Sequence, residues 1–266
     1  MFTKAIVRPP SANFAEGLTT AALGAPDYRR ALEQHGAYCD ALERCGLTLI
    51  RLDADPEYPD SCFVEDTAVL VNVPDANGHG RRLAVLTRPG AASRAGETES
   101  MSAVLKHLLR EPAIYHIEPP GTLDGGDVCE AGDHYFIGVS ARTNESGAEQ
   151  LAKFLAAHGY TSSLIDIRGT ALLHLKSGLA HLSDNRLVAS EAIAGRQELS
   201  GFALVPVPRG EEYAANCVRV NDRVLVASGF ERFESTLNGL GHQTIVLAMS
   251  EFQKMDGGLS CLSLRW

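Results

Sequence analysis

The sequence lacks any run of about 18 apolar residues, the length a membrane-spanning helix requires. Its first residues, MFTKAIVRPPSANF, hold neither the apolar stretch nor the small-residue cleavage site of an export signal. Both absences point to a cytoplasmic protein with no membrane partner. Basic clusters are missing as well: no more than two Lys or Arg stand together, and 24 basic residues face 33 acidic ones for a net charge of -9. Nucleic-acid affinity rests on clustered cations, so that class of partner is excluded. The acidic balance suits a cationic ligand. The cysteines Cys39, Cys45, Cys62, Cys129, Cys217 and Cys261 form no CxxC, and no CxxH or HxxxH pair gives zinc spacing. No metal site is expected. In a cytoplasmic chain these are reduced thiols, and five of them read as core filling.

Linkers and low-complexity segments are absent too. The 266 residues therefore read as a single catalytic domain over 1–266. PDANGHG (74–80) is a turn-rich loop between apolar runs rather than a boundary.

What is present alternates between two periodicities. From Asp27 to Cys45, residues Ala31, His35, Tyr38, Leu42 and Cys45 share one helical face, and Gly46 follows as a stop. Glu97–Arg110 carries Met101, Val104, Leu105 and Leu108. Residues 144–159 carry Leu151, Phe154 and Leu155. Residues 229–241 carry Phe230, Phe233, Leu237 and Leu240, and SEAIAGRQELS (190–200) is a weaker fifth helix. Between them lie strand-like runs, and AGDH, LSDN and VNDR read as hairpin turns. Single strands, such as KAIVR, LTLIRL and TIVLAM, flank the helices. The pattern is about five ββαβ units, none able to bury its own faces, packed around a common axis. A site on that axis would draw one or two residues from each unit.

Residues able to do chemistry gather near the unit starts. Asp-Gly-Gly occurs twice, in LDGGDV (123–128) and MDGGLSC (255–261); paired glycines let backbone turn sharply and approach a ligand. Asp124 and Asp127 flank the first pair, and Cys261 follows the second. PDSCFVED (59–66) sets Asp60, Glu65 and Asp66 around a short apolar run, where carboxylates need solvent or a cation. His174 opens a strand in HLKSG. Arg88 and Arg142 each follow an apolar strand, and arginine is the natural fork for a carboxylate. A thiol, a histidine, acids for a cation and arginines for a carboxylate together describe a site for arginine or a relative.

These motifs resemble the dimethylarginine dimethylaminohydrolases. That family lies in the guanidine-modifying superfamily, with arginine deiminases and amidinotransferases. The likeness runs through GLTTAALGAPDYRRALEQH, YPDSCFVED, TRPGAASRAGETE, GTLDGGD, YFIGVSARTN, LLHLKSGLAHL, YAANCVRVNDRV and DGGLSCLSLRW. The resemblance implies an α/β fold, a five-bladed α/β propeller, and the roles that follow. Cys261 is the nucleophile, His174 the general acid/base and Asp124 the acid that orients it. Glu65 and Asp66 bind the guanidinium, with Asp60 nearby. Arg88 and Arg142 hold the carboxylate. Leu18 sits in a lid and meets the substrate's amino group through its carbonyl. Met255 contacts substrate through its backbone, where the family usually has a branched aliphatic residue. Loop 74–80 resembles an insertion remote from the site.

The implied reaction converts methylated arginine to citrulline through a covalent Cys261 intermediate, without metal or organic cofactor. The implied partner is that small molecule, with a homodimer allowed. The alternatives are an arginine deiminase-like or amidinotransferase-like enzyme, which is usually longer, or a non-catalytic arginine-binding propeller.

Overall fold

The structure, a computed structural model, describes residues 1–74, 80–109, 114–183 and 185–266. Residues 75–79 of the turn-rich loop, Arg110 at the expected helix end and Asp184 of the LSDN turn lie outside them.

Strand β1 (Lys4–Val7) leads through helix α1 (Tyr28–Arg44) to β2 (Thr48–Arg51). Next come β3 (Ala68–Pro74), β4 (Gly80–Leu86), α2 (Glu97–Leu108) and β5 (Ile114–His116). The third unit is β6 (Val128–Ala131), β7 (His134–Val139), α3 (Glu145–Ala157) and β8 (Thr161–Asp166). The fourth is β9 (Leu179–Ser183), β10 (Arg186–Ala189) and β11 (Ala203–Pro206). The fifth is β12 (Val218–Val220), β13 (Arg223–Ala227), α4 (Glu231–Gly239) and β14 (Gln243–Leu247), followed by the short α5 (Ser250–Gln253) and β15 (Leu264–Arg265).

These strands make five three-stranded sheets: β15-β1-β2, β3-β4-β5, β6-β7-β8, β9-β10-β11 and β12-β13-β14. In each, the middle strand is antiparallel to the first and parallel to the third. The sheets are the blades of a five-bladed α/β propeller. The first blade takes strands from both ends of the sequence, with Ala5 opposite Arg265 and Ile6 opposite Leu264.

Period two explains how the blades pack. Along β13, Val224 and Val226 enter one apolar cluster while Leu225 and Ala227 enter the next. Along β7, Tyr135, Ile137 and Val139 face one neighbour and Phe136 the other. Both faces of each middle strand are therefore buried, which is why those strands read as continuous apolar runs. Five clusters result, one wedged between each pair of adjacent blades.

The helices follow their stripes. Asp27 caps α1 by accepting from the Arg30 amide, and Asn144 caps α3 through Gly147. Gly46 takes φ of +89° just past the C-cap of α1. Two expectations need correction. Residues 190–200 form turns and a short 3₁₀ segment, Gln197–Leu199, not an α-helix. Their apolar anchors, Ile193 and Leu199, stand six apart, which no helical face joins, and Gly195 lies between them. Leu240, counted in the α4 stripe, is exposed. Among the described residues, no helix is long and apolar enough to cross a membrane.

Candidate active site

Each blade enters its innermost strand through a 3₁₀ turn: Val64–Thr67, Gly125–Asp127, Leu175–Ser177, Glu212–Ala215 and Ser260–Leu262. The turns touch one another around the axis. Asn216 closes the ring, donating to Ser260 Oγ at 3.1 Å and accepting from the Ser260 amide at 2.9 Å. On one side of the ring lies a cavity of about 590 Å³, lined by the first residues of the five inner strands. On the other lies a smaller pocket.

The structure brings Leu18, Asp60, Asp66, Arg142, His174, Met255 and Cys261 to that pocket. Asp124 sits behind it, fully buried, with Oδ2 3.0 Å from His174 Nε2 and Oδ1 accepting from the Gly90 amide at 2.9 Å. The Asp-Gly-Gly pairs serve close approach. A Cβ on Gly126 would stand 2.8 Å from the His174 ring, and one on Gly258 would stand 2.4 Å from Asn216 Oδ1.

Electrostatics distinguish His174, Cys261 and Asp66. Burial works against the His174 imidazolium, but Asp66, the hydrogen bond to Asp124 and the Asp127 charge outweigh it and lift the pKa to about 9. Burial, then the Glu65 and Asp66 charges, push the Cys261 thiol up to about 12, although the Gly258 amide points at the sulfur from 3.4 Å. Burial also disfavours the Asp66 anion, yet His174 and Arg94 hold its pKa down at about 2. At neutral pH the free site therefore holds a thiol, an imidazolium and a carboxylate.

Two expected residues are not among those lining the pocket. Glu65 does not line the pocket. It lies in the cavity on the other side of the ring, where Oε1 meets Lys176 Nζ at 2.7 Å and Arg265 Nη2 at 3.2 Å, and Oε2 accepts from Ser260 Oγ at 2.7 Å. Arg88 is exposed and donates to the Gly121 carbonyl at 3.0 Å. Gly90, two residues on, packs against the Arg142 backbone, so the two arginine-bearing segments are neighbours. The expected lid is tied down at several points. The Leu18 amide donates to Asp60 at 3.1 Å, and Thr20 donates to Asp256 from its amide at 2.5 Å and its hydroxyl at 3.0 Å.

Sequence reasoning missed Arg94, Asn216 and Lys176. Arg94 is a buried guanidinium at the pocket wall. It gives 2.5 Å to Asp66 Oδ2 and a two-pronged bond to Glu97, at 2.9 and 2.7 Å. An arginine three residues before a glutamate reads from sequence as a solvated helical pair, and no local signal marks it as buried. Asp66, Asp124 and His174 each offer a ligand atom within 4.8 Å of the others. Both carboxylates are already satisfied, Asp66 by Arg94 and Gly126, Asp124 by His174 and Gly90. The trio works as a charge network.

A family model described as arginine deiminase matches residues 81–209. A five-bladed α/β propeller with this axial arrangement is the guanidine-modifying fold. Within that class, the chain is 41% identical, over all of both chains, to N(G),N(G)-dimethylarginine dimethylaminohydrolase of Pseudomonas aeruginosa. It is 35% identical to the enzyme of that name from Streptomyces coelicolor, across 98% of this chain and 96% of the other. It also superimposes on the crystal structure of a cysteine-to-serine variant of the P. aeruginosa enzyme complexed with citrulline, with TM-score 0.91, 41% identity and full coverage of both chains. The chain belongs to the dimethylarginine dimethylaminohydrolase family.

Proposed function

We propose that the chain hydrolyses the guanidino C–N bond of Nω-methylated arginine, with dimethylarginine or monomethylarginine as substrate. The products are citrulline and dimethylamine or methylamine. One observation carries this reading: Cys261, His174 and Asp66 meet in a single pocket, with Asp124 fixing the imidazole from behind. The citrulline complex of the P. aeruginosa relative supports it.

Substrate enters with its guanidinium toward Asp66 and Asp60, its carboxylate toward Arg142 and Arg88, and its amino group toward the Leu18 carbonyl. The backbone of Met255 lines the approach. The arriving cation offsets the carboxylates that hold Cys261 as a thiol, so substrate itself favours the thiolate, and the thiol proton leaves to solvent. Sγ adds to the guanidinium carbon. His174, already an imidazolium, gives its proton to the departing dimethylamine as the C–N bond breaks. An S-alkylthiouronium remains on Cys261. Neutral His174 then takes a proton from water, the hydroxyl adds to the same carbon, and the C–S bond breaks to release citrulline. The steps draw on these side chains and water. Six free thiols, five of them buried, suit a cytoplasmic setting.

The test is citrulline and dimethylamine release from asymmetric dimethylarginine, with and without Cys261→Ser. Turnover should vanish in the variant while its thermal transition persists. Ammonia release from unmodified arginine at comparable kcat/KM would instead make the chain a deiminase.

A further inference from the structure

The second acid of the LDGGD motif takes no part in the steps above, yet it lies where three segments of the site meet. We infer that Asp127 is a positioning residue: a buried carboxylate that ties the backbone of His174 to the substrate-carboxylate arm at Arg142 and adds negative charge to the surroundings of that histidine. This inference rests on the proposed hydrolysis for its kinetic consequences, but not for its structural ones.

The carboxylate is wholly buried. Oδ2 accepts from Ser140 Oγ and from Thr143 Oγ1, both at 2.7 Å, and Oδ1 accepts from the Leu175 amide at 2.8 Å. Proton counting fixes the direction of these bonds. Ser140 Oγ already accepts from the amides of Arg142 at 3.0 Å and Thr143 at 3.1 Å, so its one proton is free to go only to Asp127. Thr143 Oγ1 accepts from the Asp124 amide at 3.1 Å and likewise turns its proton to Asp127. The Leu175 N–H can only donate. Three donors thus converge on one side chain. A proton on this carboxyl would find no acceptor among these partners, so the three donors favour the anion against the cost of its burial.

The wiring follows from the same bonds. Leu175 is the residue after His174, so Oδ1 anchors the backbone that carries the general acid. Ser140 holds the Arg142 amide, and Thr143 holds the amide of Asp124, the partner of His174. One carboxylate therefore sets the spacing between the reacting centre and the arm that would grip the far end of the substrate. No Arg or Lys touches it among the bonds described, and His174 is a cation that acts on it. Burial pushes the Asp127 pKa up, and His174, Thr143, Ser140 and the Leu175 amide offset this only in part. His174 also faces Asp66 and Asp124, and a neutral Cys261 thiol lines the same pocket. Asp127 is thus one of three negative charges acting on it.

Asp127→Asn tests this, because the substitution keeps the shape and removes the charge. The histidine side-chain resonances of the full-length protein are followed by NMR against pH, with His174 assigned by its loss in His174→Gln. The His174 pKa should drop by about one unit or more in Asp127→Asn. The pH dependence of kcat/KM for dimethylarginine should move to lower pH by the same amount, with an activity loss of about 10²-fold or more. An unchanged His174 pKa in the folded variant overturns the electrostatic role, whether or not the chain turns over dimethylarginine. A shifted pKa in a chain that makes no citrulline would instead refute the proposed function alone.

Ser140→Ala keeps the inference testable if Asp127→Asn fails to fold. It frees the Arg142 loop while leaving the charge, so KM should rise about tenfold with kcat and the His174 pKa nearly unchanged. A fall in kcat at constant KM would refute the link to Arg142.

Discussion

Glu65 and Asp66 are consecutive in the chain and face opposite ends of the propeller axis. Asp66 looks into the reactive pocket and is held by Arg94. Glu65 looks into the cavity beyond the ring of turns and is held by Lys176, Arg265 and Ser260. The 3₁₀ turn at Val64–Thr67 points successive side chains to different sides of the ring. Under the proposed function the pair thus divides the labour between receiving the substrate cation and bracing the last blade.

Glu65→Gln should therefore act on stability and on the thiol rather than on substrate binding. The substitution leaves Lys176 and Arg265 without their buried counter-charge, at a cost of about 3 kcal/mol. It also removes one of the charges that hold the Cys261 proton. The thermal midpoint should drop by several degrees, iodoacetamide should alkylate Cys261 faster at a given pH, and KM for dimethylarginine should change less than about threefold. A large rise in KM with an unchanged midpoint would place Glu65 at the substrate after all.

The free thiol makes a pH prediction of its own. With the Cys261 pKa pushed up to about 12, the thiolate fraction at neutral pH is minute. Alkylation of Cys261 in the ligand-free protein should climb about tenfold per pH unit from pH 6 to 9, without levelling. Quenched-reaction mass spectrometry reads this directly. A plateau below pH 8 would mean a preformed thiolate, with no need for substrate to create it.

His174 links stability to pH in the opposite sense from a depressed acid. Folding raises its pKa from 6.5 to about 9, so the folded state holds the proton more tightly. The contribution is complete below about pH 6.5 and is lost as pH rises toward 9, to a ceiling of about 3 kcal/mol. Denaturant titrations of the wild type and His174→Gln should show a stability difference that shrinks over that window. A difference independent of pH would mean the imidazole is neutral in the folded protein.

The sequence made the repeat legible because the middle strands are buried on both faces and the helices carry clean stripes. It also made Cys261, His174, Asp124 and Asp66 legible, since a thiol, a histidine and acids beside Gly-Gly turns are rare company for ordinary core. It does not show which way neighbours on a tight turn point, so Glu65 reads from sequence as a companion of Asp66. Nor could it show Arg94, whose partners Asp66 and Glu97 come together only when α2 packs on the ring. The same holds for Asn216. A turn asparagine is unremarkable until its side chain is found spanning the Lys176 carbonyl and Ser260.

Asn216→Ala follows from that span. The amide accepts from the Ser260 N–H and donates to Ser260 Oγ and the Lys176 carbonyl, so it fixes the turn that presents Cys261. Losing these three bonds should cost about 2–3 kcal/mol and loosen Cys261. We expect kcat to fall about tenfold or more with KM little changed. Full activity at unaltered stability would show that the ring closes without this side chain.

The stretch MDGGLSCLSLRW joins Cys261, the proposed nucleophile, to the last strand, and the two depend on each other. Strand β15 pairs with β1, and the Trp266 carbonyl takes the amides of Thr3 at 2.6 Å and Lys4 at 2.9 Å, while the Trp266 amide returns a bond to the Lys4 carbonyl. Leu264 fills the cluster between the first and second blades, and Arg265 grips Glu65 along with the carbonyls of Ser260 and Ser263. Cys261 thus has a fastened segment on each side: Asn216 and Gly258 before it, β15 after it. Removing residues 264–266 should open the first blade, strip Glu65 of one cation and expose Ile6. The truncated chain should lose several kcal/mol and its citrulline production together. Arg265→Ala isolates the ionic part: it keeps the strand and should cost about 3 kcal/mol while retaining most turnover. If the truncated chain stays folded with full activity, the nucleophile is held by the Asn216 side alone and the strand serves only to end the blade.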